Sequence, residues 1–189
     1  MPFAAGRARR LAIFAALTVA VPLASAASAS AAGPYDYLLA PTTRCANQTS
    51  ATASLNLQAQ SMYCLVNYAR ERSGAAPLRP TVLMESAARK TRDIFACGQF
   101  SHTACGRDFA FHIRAVGYGG NCWGAGENLA FGTGSFGAPR PIMSGWLNSS
   151  GHRQNILYSS FRDYGIGVLR GSLNGAQGQA WVTHFGYRC

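Results

Sequence analysis

Carboxylates and imidazoles are scarce in this chain: its 189 residues hold seven Asp and Glu together and four His, and Lys90 is the only lysine. No G-x-S-x-G elbow, no H-E-x-x-H pair and no zinc-finger spacing of cysteines occurs, so the local signatures of a serine hydrolase elbow, a zincin and a structural zinc site are missing. Long apolar runs are missing too. The single one, residues 11–24, is short for a bilayer span. It follows Arg7, Arg9 and Arg10 and precedes small-residue sites at Ala24-Ser25-Ala26 and Ala27-Ser28-Ala29, the three-part pattern of a secretory signal peptide. Residues 1–29 are therefore read as a removed leader, and the remaining protein as secreted, extracellular and not membrane-spanning.

The remaining length suits one domain with a single core. The formal net charge is +10, and removing the three leader arginines leaves about +7, a surplus that favours anionic surfaces. The arginines are scattered, with no basic run interleaved with aromatics, so nucleic acid is not expected as a partner. All six cysteines lie beyond the leader. An even count in an exported chain reads as disulfides. Sequence alone does not choose among the pairings; the expectation carried forward is Cys45 with Cys64, Cys97 with Cys105, and Cys122 with Cys189. The middle pair would close a short loop around His102.

Residues 30–53 are rich in Ala, Ser, Thr and Pro without periodicity and read as a flexible lead-in, with a domain over 54–189. From Ser54, Leu55, Ala59, Met62, Val66 and Ala69 recur at helical spacing until Gly74 and Pro77. After a turn at 78–81, Leu83, Ala87, Thr91 and Ile94 mark a second helix. Its charged face (Glu85, Arg89, Lys90, Arg92, Asp93) reads as solvated. A weaker helical piece covers 108–116, then a Gly-rich bend leads to the apolar segment at Glu127. Gly132, Gly134 and Gly137 match G-x-G-x-x-G, but no βαβ unit surrounds them, so a flexible loop replaces the dinucleotide reading. Residues 141–157 read as a helix interrupted near Ser150-Gly151. Residues 164–169 and 179–185 read as a hairpin across a Gly- and Asn-rich turn. Helices first and strands late predict an α+β domain with helices on an antiparallel sheet.

Three short segments concentrate the scarce chemistry: Phe100-Ser101-His102, Gly126-Glu127-Asn128-Leu129, and Trp146 followed by Ser150-Gly151-His152. With the stretches 65–72, 74–78 and 164–168 they resemble, in order, the CAP superfamily of cysteine-rich secretory, antigen 5 and pathogenesis-related proteins, and within it the bacterial SCP-like extracellular branch. The resemblance spans residues 59–186. It implies an α-β-α three-layer sandwich with a surface cleft holding two histidines and two acids. His102, Glu127 and His152 match three of these. The second acid is missing, because Trp146 is followed by Leu147, Asn148 and Ser149.

Two imidazoles and a carboxylate form a three-ligand set for zinc or another divalent metal with one open position, and such a site could activate water. His102, Glu127 and His152 lie 25 residues apart in each interval, so the set rests on the resemblance and not on local spacing. Bland roles stand beside it: His102 as a cap at the end of the second helix, Glu127 as a turn acceptor, His152 as a helix-start residue, Asn155 as a brace for a backbone segment, and His112 and His184 as satisfied core histidines. A nucleophile at Ser149 or Ser150 with His152 and Glu127 has little support. A glycosidase pair would need Asp108 or Asp163 beside Glu127.

The expected function is a monomeric extracellular binding module whose His102–Glu127–His152 cleft takes a divalent metal, or a lipid, sterol or envelope component, with Phe100, Trp123, Phe131 and Trp146 as candidate apolar walls. The alternatives are a metal-dependent hydrolase of peptides or wall components using the same residues, and a non-catalytic structural envelope protein. The missing second acid weighs against catalysis.

Overall fold

The computed structural model describes residues 33–189, so the expected leader at 1–29 lies outside the described residues. Helix α1 (Leu55–Arg72) begins where the Ser54 hydroxyl accepts the Leu57 N–H and ends before Gly74, whose φ is 75°. These are a side-chain N-cap and a left-handed C-terminal glycine. Helix α2 (Leu83–Ala96) buries Leu83, Ala87, Thr91 and Ile94, the face read from the periodicity. A short α3 (Phe111–Ala115) follows. Helices α4 (Pro139–Asn148), which opens on a proline, and α5 (Ser150–Leu157) are separated by extended Ser149.

The sheet has the order β1-β3-β4-β2. Its strands are β1 (Arg79–Pro80), β2 (Trp123–Gly132), β3 (Asp163–Leu173) and β4 (Ala176–Arg188). The β3–β4 hairpin is longer than its apolar runs suggested. It closes at Asn174 (φ 50°) and Gly175 (φ 83°), the two-residue left-handed turn that matches strand twist. Two other elements differ from expectation. Residues 79–80, read as turn, pair in parallel with Asp163 and Tyr164. Residues 123–132 form a strand along all of β4's later half; four of its residues in succession, Gly126 to Leu129, are all buried, so no alternation announces it. The segment Gly134–Gly137 is a 3-10 turn with Gly137 buried, in place of a flexible loop.

Side-chain alternation divides the sheet into two faces. Tyr164, Ile166, Trp181 and Phe185 pack with Met62, Leu65, Val66, Met143 and Trp146 of α1 and α4. On the opposite face Leu129, Ala180 and Val182 pack with Ala87 and Ile94 of α2. Helices on both faces of one sheet make the expected α-β-α sandwich. Helix α2 approaches unusually closely because β3 carries glycines there: a Cβ on Gly165 would meet Leu83 O, and one on Gly167 would meet Thr91 Oγ1 and Ala87 O.

Residues 33–53 are not a loose lead-in. Leu38 and Ala40 are fully buried, and Arg140 donates to Ala40 O and to Gln48 Oε1. Turns and one disulfide hold this strap, so no periodic pattern marks it. The disulfides join Cys45 to Cys64, Cys97 to Cys105, and Cys122 to Cys189, the pairs expected. They tie the strap to α1, the loop after α2 to its own helix, and the start of β2 to the end of β4. Arg70 completes the frame on the α1 side. Fully buried, it donates to the carbonyls of Ala76, Ile156, Tyr158 and Phe161, and burial with the nearby Arg162 lowers its pKa to about 10.

Candidate functional site

β2 has a strand neighbour on one side only, and at its outer edge the two helical layers meet. Side chains occupy the edge carbonyls that a further strand would otherwise seek. Trp146 Nε1 of α4 donates to Leu129 O at 3.0 Å, and Asn155 Nδ2 of α5 donates to Glu127 O at 3.2 Å. Asn155 Nδ2 also reaches Asn128 Oδ1, and Asn128 Nδ2 donates to His152 O. Asn155 is thus a backbone brace, and through Asn128 it sets where His152 stands.

From the other layer, the disulfide-closed loop after α2 carries His102 to the same edge. Buried Lys90 anchors that loop by donating to His102 O at 2.7 Å. His102 Nδ1 meets Glu127 Oε1 at 2.6 Å, with the histidine side chain 56% exposed and the carboxylate 1% exposed. The other carboxylate oxygen, Oε2, is 2.9 Å from His184 Nε2, whose Nδ1 lies 2.7 Å from Ser86 Oγ. His184 is directly opposite Glu127 in the β2–β4 register.

The protons follow from the partners. Burial pushes the Glu127 carboxyl up, but hydrogen bonds from His102 and His184 and the charge of Lys90 outweigh it and hold the group below its ordinary value. Glu127 is therefore an ionised acceptor. Burial pushes the His184 imidazole down against the pull of Glu127, so His184 is neutral, donates Nε2–H to Glu127 and accepts the Ser86 hydroxyl proton at Nδ1. His102 gives its Nδ1–H to the first oxygen, which leaves Nε2 as the outward nitrogen. A carboxylate engaging one ring nitrogen in this way fixes the tautomer and aims the free nitrogen. His152 is half-buried on the α5 side, and burial followed by the nearby charge of His102 lowers its pKa.

Ser86, His184 and Glu127 thus stand in the order of a hydrolytic triad, yet Ser86 and His184 are fully buried. No substrate reaches that hydroxyl, so the chain is a structural relay behind His102. The structure brings His102 and Glu127 into direct contact. It places His152 near His102, with no hydrogen bond to the carboxylate. Both Glu127 oxygens are held by imidazoles, and among the described residues no three His, Cys, Asp or Glu are grouped to hold an ion. With both oxygens engaged, Glu127 stands behind the imidazoles and offers no free oxygen to the cleft. Asp108 pairs at the surface with Arg114, and Asp163 accepts from Tyr118, so neither joins Glu127 as a second acid. Trp146 is core, whereas Phe100 is 46% exposed.

Sequence reasoning missed Ser86, Lys90 and the partner role of His184. The charged face of α2 is only partly solvated: Lys90 is buried at the site, and Asp93 accepts from Arg107 and His112. The signal for His184 was its place on the last strand, usable only once β2 was known to pair with it.

The sequence over residues 63–185 matches the cysteine-rich secretory protein family, CAP. The chain belongs to that family. YkwD of Bacillus subtilis (strain 168) is 30% identical over 138 residues, covering 72% of this chain and 50% of YkwD; the chain spans half the length of that curated relative. Among solved structures, an extracellular protein containing a SCP domain from Bacillus anthracis superposes with a TM-score of 0.58 at 24% identity, over 70% of this chain and 41% of its own. An outer surface protein of Borrelia burgdorferi gives 0.54 at 19% identity, over 68% and 90%. A cysteine-rich secretory protein of Staphylococcus aureus gives 0.56 at 17%, over 72% and 41%. The CAP assignment covers every element of the candidate site, from α2 to β4.

Proposed function

We propose that this CAP domain is a secreted, extracellular binding module whose cleft takes a divalent metal ion on the imidazoles of His102 and His152. The observation that carries this reading is the orientation of His102. Its Nδ1 is engaged by a buried carboxylate, its Nε2 is left outward, and a second imidazole with a lowered pKa stands on the facing layer. Neutral imidazoles are what a zinc-type ion requires near neutral pH. Two protein donors leave the rest of the coordination to water or to groups of a bound partner such as an envelope component, which favours binding over a closed structural site.

A metal-dependent hydrolase of peptides or wall components would use the same three residues, His102, Glu127 and His152. The position that would hold the family's second acid carries no carboxylate, and this argues for binding without turnover. A lipid or sterol ligand would need apolar walls. Of the four candidate aromatics Phe100 stands well out, Trp123 and Phe131 are half-buried, and Trp146 is enclosed.

Calorimetric titration of the purified protein with zinc at neutral pH is the test. One-to-one saturable binding, lost in both His102→Ala and His152→Ala while each variant keeps its melting profile, is the expected result. Absence of saturable heat in the parent protein would overturn the metal reading and leave the three residues as scaffold.

A further inference from the structure

The two edges of the sheet are finished differently. Along β2 the outward carbonyls of Glu127 and Leu129 are taken by side chains of α5 and α4. The other edge belongs to β1, which covers β3 only at Asp163 and Tyr164 and ends at Pro80. Register shows which groups of β3 are then left open. Leu173 and Ala176 flank the two-residue turn as a hydrogen-bonded pair, so the odd-numbered residues of β3 face β4 and the even-numbered ones turn N–H and C=O outward. The carbonyls of Arg162 and Tyr164 agree with this phase, since they accept the N–H groups of Arg79 and Thr81.

Past Tyr164 the row next to β3 is vacant. The outward backbone groups of Val168, Arg170 and Ser172 have no partner among the described residues. Val168 is half-buried, and Arg170 and Ser172 are exposed. Neither a proline nor a bulge guards the stretch, and such an edge is a template for another strand. At its Ile166 end lies an apolar crevice of about 110 Å³, walled by Ala59 and Tyr63 of α1 and by Pro80 and Met84 across from them. At its other end stands Arg170, the only charged side chain from Ile166 to Ser172. Its Nη2 is fixed on Ala51 O and Ala53 O, which leaves Nε and Nη1 as donors.

These features select their occupant. Only an extended polypeptide presents N–H and C=O groups in alternation at the spacing of a strand. The crevice asks for an apolar side chain and Arg170 for a carboxylate. Ile166 and Arg170 are four residues apart on one face of β3, so the two side chains stand four residues apart in the peptide. A second copy would bring the same positive surplus, +10 in the full chain, which disfavours self-pairing and favours an acidic partner. We infer that the open edge of β3 binds an extended acidic peptide segment of a partner protein, added as a strand in the row that β1 begins.

The test is amide hydrogen exchange followed by ¹H–¹⁵N NMR on the purified protein. The probes are the acetylated and amidated peptides Thr-Leu-Thr-Val-Thr-Glu-Thr and Thr-Glu-Thr-Val-Thr-Leu-Thr, whose opposite orders suit parallel and antiparallel addition. In the free protein the Val168, Arg170 and Ser172 amides exchange faster than those of Gly167, Leu169 and Gly171. At least one peptide slows those three saturably, and replacing its valine by proline abolishes the effect. Ala59→Leu, which fills the crevice, weakens binding by about tenfold. Arg170→Gln weakens it by about threefold, and not at all when the peptide carries glutamine in place of glutamate. His102→Ala leaves it unchanged, so the outcome is independent of the metal reading. Four results would overturn the inference: no saturable protection from either peptide at millimolar concentration, equal protection by the proline peptides, protection indifferent to Ala59→Leu, or protection that rises with protein concentration alone and marks pairing with a second copy.

Discussion

The sheet face under α1 and α4 carries Tyr164, Ile166, Trp181 and Phe185, whereas the face under α2 carries Glu127 and His184 beside Gly165 and Gly167. The first is an apolar face whose large rings fill space and whose stability scales with area removed from water. The second stays narrow so that a helix can press Ser86 against His184 and Lys90 against the His102 loop. In the narrow layer each buried polar group depends on one named partner, and the cost of losing a partner exceeds the value of the contact. The outward histidine of the cleft is therefore supported by the less forgiving face.

The largest effect is expected where the narrow layer is forced open. Gly165→Val puts a branched side chain against the α2 backbone at Leu83 O, which cannot yield as a side chain could. The variant is expected to lose the cooperative melting transition by circular dichroism. An unchanged midpoint would show that α2 is free to shift. On the apolar face, Trp181→Ala removes a fully buried indole and its bond to Gly137 O. It should cost about 3–5 kcal/mol in denaturant unfolding while leaving a folded protein at low denaturant.

Glu127→Gln keeps the volume and removes the charge that two imidazoles address. Hydrogen bonds to charged groups are worth about 1.5–3 kcal/mol, so a loss of about 2 kcal/mol at neutral pH is expected. The loss should shrink in acid. Glu127 is held below its ordinary value, so its contribution is present above the unfolded pKa of about 4.3 and is lost as pH falls through the lower folded value. The His184 imidazole, pushed down by burial, acts in the same direction at higher pH. Its unfolded form takes up a proton below about pH 6.5 while the folded form resists, so stability falls from there downward. The melting temperature of the parent protein should therefore decline on acidification from about pH 6.5, and His184→Gln should flatten that first decline. A parent profile level between pH 7 and 5 would contradict the neutral assignment.

The smallest effect is expected at the outward end of the same relay. His102 is more than half exposed, so His102→Ala should change stability by no more than about 1 kcal/mol while removing zinc binding. Two faces of one sheet would then be separated by assay: changes on the apolar face register in unfolding, and changes at the mouth of the narrow one register in binding.

Much of the fold was legible because periodicity records burial. Met62, Val66 and Ala69 in α1 and Ala87, Thr91 and Ile94 in α2 are buried as their spacing required, and Gly74 stops α1 as expected. β2 was not legible. Its residues from Gly126 to Leu129 are enclosed by sheet, helix and loop together, so neither alternation nor a plain apolar run appears, and a glutamate and an asparagine interrupt it. The strap at 33–53 was missed for a related reason, since turns and Cys45 hold it in place of a repeating element.

The sequence by itself determined the helical segments, the hairpin, the six-cysteine frame and the three motifs that carry His102, Glu127 and His152, because these are local patterns or ordered short matches. Only the tertiary structure decided what Glu127 does. Its two oxygens are claimed by His102 from the loop after α2 and by His184 from the last strand, partners 25 and 57 residues away in the chain. A carboxylate takes its role from whichever donors the packing brings within hydrogen-bond distance, and that distance is set by strand register and by the glycines that let α2 close, neither of which is written beside Glu127.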